Sequence, residues 1–299
     1  MSQQHFSLRS PMPVSAAALY DWHARPAAFL RLQPPWEAVS IVDQQDHFGE
    51  GFRVTIRAQI LGPIHHDWIA EIYDVQPGVS FSDRQISGPF AEWNHTHRME
   101  PADESHSFLH DDISYRLPFG RLGRWLGSGM VRNRLQQMFA YRHALTASDL
   151  HRHQSFRDRP RLTVAITGST GLIGNNLALF LAAGGHRVIR LARNPASPSN
   201  VDDGTTATVW RPDEPVDPRV FEGVDAVVHL AGEPIAEGRW TAAKKQRIRD
   251  SRVGPTRRLA EAAAAAGVKT LIAASAIGIY GDRGDEELTE ASEPGTGFL

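Results

Sequence analysis

Hydrophobic and polar positions alternate along the first half of this chain and recur at helical spacing along much of the second. Period two over a short run reads as a strand, and apolar positions three and four apart read as an amphipathic helix. Residues 3–9 alternate weakly. Ser15 is placed to cap a short helix over 16–22, and Pro26 to open another over 27–31. Strand-like runs follow near 37–43, 51–60, 65–75, 79–86, 92–100 and 105–117. They are separated by Gly49, Gly62-Pro63, Pro77-Gly78, Gly88-Pro89 and Pro101, which supply turn geometry. A long helix over 122–150 closes this half, with Leu122, Trp125, Leu126, Met130, Leu135, Met138, Phe139 and Leu145 as its apolar stripe.

After residue 160 the pattern changes. Short apolar runs at 162–167, 186–193, 207–210, 225–232 and 269–275 alternate with helical segments at 171–183, 241–249 and 255–266. Strands alternating with helices predict a parallel sheet covered on both faces. Between the halves, residues 151–160 are polar and charged and end in Pro160, which reads as a linker. Two domains are expected, at 1–152 and 161–299.

The first apolar run of the second half leads into Gly168-Ser169-Thr170-Gly171-Leu172-Ile173-Gly174. A strand, a glycine-rich turn and a helix start make a seat for a dinucleotide pyrophosphate. Gly168 allows the sharp turn, Gly171 removes a side chain where backbone approaches phosphate, and Gly174 lets the helix pack close to the sheet. The helix N-terminus then offers unpaired N–H groups and a positive dipole end. No Asp or Glu occupies 186–200, and Arg193 stands about 20 residues past the glycines. A guanidinium there suits a 2′-phosphate, so the expected cofactor is NADP.

Composition narrows the picture. Thirty-two basic and 34 acidic residues give a net charge of −2, which offers no footprint for nucleic-acid binding. Zero cysteines exclude disulfides, thiolate catalysis and Cys-based zinc sites. The N-terminus lacks the apolar core of a signal peptide, and no apolar run is long enough to span a bilayer, so a cytoplasmic protein is expected. His95 and His97 share one face of a strand, but no third ligand is apparent, and no metal site is expected. The aromatics Trp68, Phe81, Trp93, Trp125 and Phe139 read as core.

A strand, two small helices, several antiparallel strands and one long C-terminal helix resemble the START-like, helix-grip family in its polyketide cyclase and dehydrase-like branch. That resemblance implies a curved sheet wrapped on the long helix, and binding of a small hydrophobic molecule. In the second half, three blocks accompany the glycine turn: Ala231-Gly-Glu-Pro-Ile-Ala-Glu-Gly-Arg-Trp-Thr241, Lys244-Lys-Gln-Arg-Ile-Arg-Asp-Ser-Arg252, and Ser275-Ala-Ile-Gly-Ile-Tyr-Gly-Asp-Arg-Gly-Asp285. With the His-Leu-Ala-Gly strand end, they resemble the atypical, sugar-epimerase-like branch of the extended short-chain dehydrogenases/reductases. Some bacterial members of that branch carry a START-like domain in front.

The overall expectation is an α+β helix-grip domain followed by an incomplete α/β doubly wound Rossmann domain. The stretch after Pro160 is roughly half the length used by that branch, so the chain reads as C-terminally truncated. The resemblance implies that Leu230, Ala231 and Gly232 run along the cofactor and that Ser275 faces the nicotinamide and a substrate oxygen. Tyr280 is a second catalytic candidate. It does not belong to a Tyr-x-x-x-Lys pair, which this sequence lacks altogether. Arg239 and Trp240 either frame a substrate pocket or pack a loop. The function expected is an NADP(H)-dependent oxidoreductase or epimerase-like protein acting on a small-molecule substrate. The alternative is a non-catalytic NADPH-binding module that regulates the ligand domain.

Overall fold

A computed structural model describes residues 3–37, 39–45, 48–61, 64–194 and 202–298. Contacts divide the chain into two compact units, one built on residues up to Arg161 and one from Leu162 onward, with Leu179–Arg187 grouped with the first.

The first unit follows the alternation in the sequence. Its strands are β1 (Gln4–Met12), β2 (Val39–Gln44), β3 (Arg53–Leu61), β4 (Ile64–Gln76), β5 (Ser80–Ser87), β6 (Glu92–Pro101) and β7 (Ser107–Arg116). They form one antiparallel sheet in the order β1-β7-β6-β5-β4-β3-β2. Between β1 and β2 lie α1 (Ala16–His23), capped by the Ser15 side chain, and α2 (Pro26–Arg31), opened by its proline. The turn expected at Gly62-Pro63 lies outside the described residues.

The long helix α3 spans Gly120–Gln154, so the first four residues of the expected linker are its last turn. At 35 residues it is about 52 Å long, well beyond the width of the sheet. Among its described residues the buried side chains begin at Leu135 and recur at Phe139, His143, Thr146 and Leu150. Trp125, expected in the core stripe, is 80% exposed, and Met130 is exposed too. The side chains of Leu122 and Leu126 lie outside the described set. Leu135 and Phe139 pack on Phe6, Trp93, Ile113, Tyr115 and Leu117 of the sheet face. An open depression of about 580 Å³ is lined by Ala91, Arg116, Leu117, Phe119 and Gly120 at the start of α3.

Part of this interior is polar. On β7 the inward positions are Ser107, Leu109, Asp111, Ile113 and Tyr115, so a carboxylate stands in a buried apolar phase. His23, His95 and His143 are buried with it. Burial, and secondarily the charge of His97, pushes the pKa of His23 down to about 4.

The second unit's sheet contains β8 (Thr163–Thr167), β9 (Arg187–Ala192), β10 (Thr205–Val209), β11 (Ala226–His229) and β12 (Thr270–Ala273), in the order β10-β9-β8-β11-β12. The helices are α4 (Leu172–Ala183), α5 (Ala242–Asp250) and α6 (Val253–Ala265). Strand order reverses at β8, which sits between β9 and β11, and a doubly wound sheet opens its ligand crevice at such a point. β8 is buried at four of its five positions because helices cover both faces of such a sheet. Ala165, Ile189, Leu191, Trp210, Phe221, Val227, Leu259, Ala262 and Ala263 form the core. Among the described residues, no helix is long and apolar enough to cross a membrane.

Candidate functional site

The strand register gathers the expected segments at one edge. Thr167 of β8 lies opposite His229 of β11, and His229 lies opposite Ala273 of β12. The carboxyl ends of all three strands therefore align. Gly168, Leu230 and Ala274 continue from them, and Ser275 follows by one residue, exposed.

Gly168 has φ +67°, a backbone that favours glycine. A Cβ there would also stand 2.8 Å from the Ala231 nitrogen and 2.8 Å from the Leu230 carbonyl carbon. The first glycine is thus pressed against the second expected cofactor segment. A Cβ on Gly174 would lie 2.2 Å from the Gly168 carbonyl oxygen, so this glycine lets the helix start close over the turn. Gly171 differs: a Cβ there would meet only the Gly168 oxygen, at 3.3 Å. Its N–H donates to that oxygen, closing the turn at 3.0 Å.

Leu172 and Ile173 correct one expectation. Both are apolar residues inside the segment expected as a helix over 171–183, yet they are 83% and 69% exposed. The helix begins beyond the strand ends, so its first turn overhangs the sheet edge. The core contact comes from Ala178, Leu179, Ala182 and Ala183 instead. The two exposed apolar side chains therefore flank the crevice.

Three positioning groups were not identified from the sequence. Thr167 Oγ1, fully buried, accepts from the Leu230 and Ala231 N–H groups at 3.1 and 3.2 Å and lies 2.6 Å from His229 Nδ1. Arg190, on β9, donates to the Ser169 carbonyl at 2.7 Å and to Asn175 Oδ1 at 3.1 Å, bracing the glycine turn against the first turn of α4. Arg252, at the start of α6, donates to the Glu233 carbonyl through both terminal nitrogens at 3.1 Å. A Cβ on Gly232 would stand 2.8 Å from that guanidinium carbon. Glu233 also receives Lys244 Nζ at 2.9 Å, and its N–H donates to Ser251 Oγ. The loop after β11 is therefore clamped by the Lys244–Arg252 block. The sequence signal was the density of basic residues in that block.

Two buried polar atoms at this edge, Ser169 Oγ and His229 Nε2, have no partner among the described residues. Burial, with the nearby charge of Arg252, lowers the pKa of His229 and favours its neutral ring. Unsatisfied buried polar atoms beside a glycine cradle fit a site built to receive a polar ligand. Arg193 stands exposed just past β9, with no hydrogen bond or ion pair among the described residues. Tyr280 is half-buried in a single 3₁₀ turn, Ile277–Tyr280. Trp240 donates Nε1–H to the Ile235 carbonyl of its own loop and meets the ring of Phe298, near the end of the chain, edge-on, which favours packing over a pocket wall.

Comparison with known proteins agrees with both halves. Residues 164–297 match the NAD dependent epimerase/dehydratase family, and residues 12–140 match the polyketide cyclase / dehydrase and lipid transport family. An epimerase family protein of Mycobacterium bovis is 47% identical over 137 residues, covering 46% of this chain and 44% of its own length. One from Bacillus subtilis is 35% identical over 133 residues, covering 44% and 43%. A solved nucleoside-diphosphate sugar epimerase from Corynebacterium glutamicum is 33% identical and superposes with a TM-score of 0.76, covering 98% of this chain and 59% of that one. The chain thus spans about half the length of the curated relatives it matches. It joins a START-like helix-grip domain to a second domain whose residues 164–297 match the NAD dependent epimerase/dehydratase family model.

Proposed function

We propose that the second domain binds NADP(H) and that the protein is an NADP(H)-dependent oxidoreductase or epimerase-like enzyme. The observation that carries this reading is the contact of Gly168 with Leu230 and Ala231 at the aligned strand ends, where Thr167 ties both segments together. In this reading Ser169, Thr170 and Gly171 present backbone to the pyrophosphate, and the opening amides of α4 face its charge. Leu172 and Ile173 flank it, and Arg193 pairs with the 2′-phosphate. Ser275 holds a substrate oxygen by hydrogen bonding, with Tyr280 near the same edge. The nicotinamide, when bound, supplies hydride transfer; this chain's own residues bind, orient and exclude water.

A second reading is a non-catalytic NADPH-binding module that regulates the helix-grip domain. In either case the helix-grip domain is proposed to hold a small apolar molecule, with the depression beside Leu117 and Phe119 as its entrance.

Titration of the full chain with NADPH and NADH, followed by NADPH oxidation across a panel of carbonyl substrates, separates these readings. Saturable NADPH binding with turnover supports the enzyme. Saturable binding without turnover supports the regulator. No saturable binding of either nucleotide refutes both. Extraction and mass spectrometry of copurified small molecules tests the helix-grip domain.

A further inference from the structure

The polar cluster inside the helix-grip domain is independent of the dinucleotide site. Strand register assembles it. Asp83 on β5 lies opposite His95 on β6, and His97 on β6 lies opposite Asp111 on β7. Period-two geometry puts these side chains on one face of the sheet. The two imidazoles sit with ring centroids 3.9 Å apart.

Each of these histidines spans two carboxylates. His95 Nδ1 is 3.0 Å from Asp83 Oδ2, and its Nε2 is 3.1 Å from Asp111 Oδ1. His97 Nε2 is 3.6 Å from the same Asp83 oxygen, and its Nδ1 is 2.6 Å from the same Asp111 oxygen. The other Asp111 oxygen is 2.6 Å from His143 Nε2, and His143 Nδ1 is 2.8 Å from Ser10 Oγ. Asp83 Oδ1 receives the Trp93 indole N–H at 3.3 Å, which leaves Oδ2 facing the histidines.

We propose that Asp83, His95 and His97 form a binding site for a borderline divalent transition-metal cation, zinc in the first instance, with Asp111 as the carboxylate that orients both imidazoles. Two features of the geometry carry this. A metal-ligating histidine characteristically donates its other ring N–H to a carboxylate. Here Asp111 Oδ1 is hydrogen-bonded to His95 Nε2 and lies 2.6 Å from His97 Nδ1, beside the far nitrogen of each ring. That leaves the near nitrogens, His95 Nδ1 and His97 Nε2, facing a third oxygen-bearing group, Asp83. Either a ring proton or a metal ion must stand between each of these nitrogens and the Asp83 oxygen, and a single metal ion bonded to all three residues satisfies both contacts at once.

The spacing matches as well. Zinc bonds of about 2.0–2.1 Å in a tetrahedron place ligand atoms about 3.3–3.5 Å apart. The two separations from Asp83 Oδ2, 3.0 and 3.6 Å, bracket that value. One ligand atom from each of the three residues lies within 4.8 Å of the others. Two imidazoles and one carboxylate suit zinc or cobalt, and a site with two nitrogen donors disfavours magnesium and calcium. The Asp83 and His97 side chains keep 20% and 17% exposure, so an ion and a water in a fourth position can reach the site.

The test uses the full chain, treated with a chelator and titrated with zinc chloride and, separately, cobalt chloride. The expected result is one equivalent bound per chain, with the visible absorption of four-coordinate cobalt, unaffected by excess magnesium. Asp83→Asn should abolish that absorption. His143→Gln, which removes only the group behind Asp111, should weaken zinc binding about tenfold. Imidazole NMR of the unmodified protein gives a readout that no variant's folding can obscure, because zinc must move the ring signals of buried His95 and half-buried His97. The proposal is overturned if the wild-type chain binds no stoichiometric zinc at micromolar concentration. It is equally overturned if only exposed histidine signals move, or if binding survives in a folded His95→Gln/His97→Gln variant; the cluster is then a purely protonic network.

Discussion

Alanine placed at Gly171 and at Gly174 should separate binding from folding. Neither residue has a positive φ, so backbone strain does not enter. At Gly174 the new methyl would stand 2.2 Å from the Gly168 carbonyl oxygen and 2.9 Å from the Ser169 Cα. Both neighbours are backbone, so relief to ordinary contact requires the start of α4 to move by about 1 Å or more. Overpacking of this kind costs about 1–3 kcal/mol, and better helix propensity returns about 1 kcal/mol at most. Gly174→Ala should therefore lower stability by about 1–2 kcal/mol and disturb the phosphate seat as well. At Gly171 the methyl meets only one oxygen, at 3.3 Å, and the stability change should stay within about 1 kcal/mol. The methyl would nevertheless project where the proposed pyrophosphate approaches. Loss of a single charge-assisted N–H contact, about 1.5–3 kcal/mol, weakens binding by about 10–150-fold. Thermal unfolding and NADPH fluorescence titration on both variants give the two quantities. If Gly171→Ala binds NADPH as tightly as wild type, the pyrophosphate does not lie against residue 171 and the assignment of the crevice fails.

Arg193→Ala should weaken NADPH binding at least tenfold and leave NADH nearly unchanged, measured by parallel titrations; equal losses for both nucleotides would argue against a 2′-phosphate contact. Thr167→Val keeps the shape but leaves the Ala231 N–H without its acceptor and the Leu230 N–H with only the Thr167 carbonyl, at 3.3 Å. It should destabilise the second domain by about 1–3 kcal/mol in chemical denaturation, with cofactor affinity falling in step. His23 gives a pH prediction. Its folded pKa of about 4 lies below the ordinary value of 6.5, so the unfolded chain binds the proton more readily. The His23 contribution to stability should therefore be intact above pH 6.5 and be lost as pH drops from there toward 4, by up to about 3 kcal/mol. His23→Gln should flatten that part of the stability–pH profile, as read from unfolding midpoints.

Much of the architecture was legible because each signal was local. Alternation bounded by glycine and proline located all seven strands of the first sheet. The strand, glycine turn and helix start located the strand-end crevice that is proposed to hold the dinucleotide. What was missed depended on where elements end relative to one another. Trp125 fits the helical period of α3 but lies on a stretch that outruns the sheet, and Leu172 and Ile173 fit the period of α4 but overhang its strand. Periodicity reports a direction around an axis and says nothing of whether a partner is opposite. The His95–His97 pair read as lacking a third ligand because its partners come from β5, β7 and α3, which only strand register brings together. One clue was present. Asp111 interrupts the inward phase of β7, and a lone carboxylate in a buried alternation implies a buried counterpart.

Gly168 carries two separate demands, a left-handed backbone and an absent side chain. Asparagine, which tolerates the first, fails the second. In a randomised library sorted only for soluble expression, codon 168 should stay monomorphic while codon 171 diversifies. Sorting on nucleotide capture would then close codon 171 as well, and the difference between the two sorts would outline the ligand's footprint on the main chain.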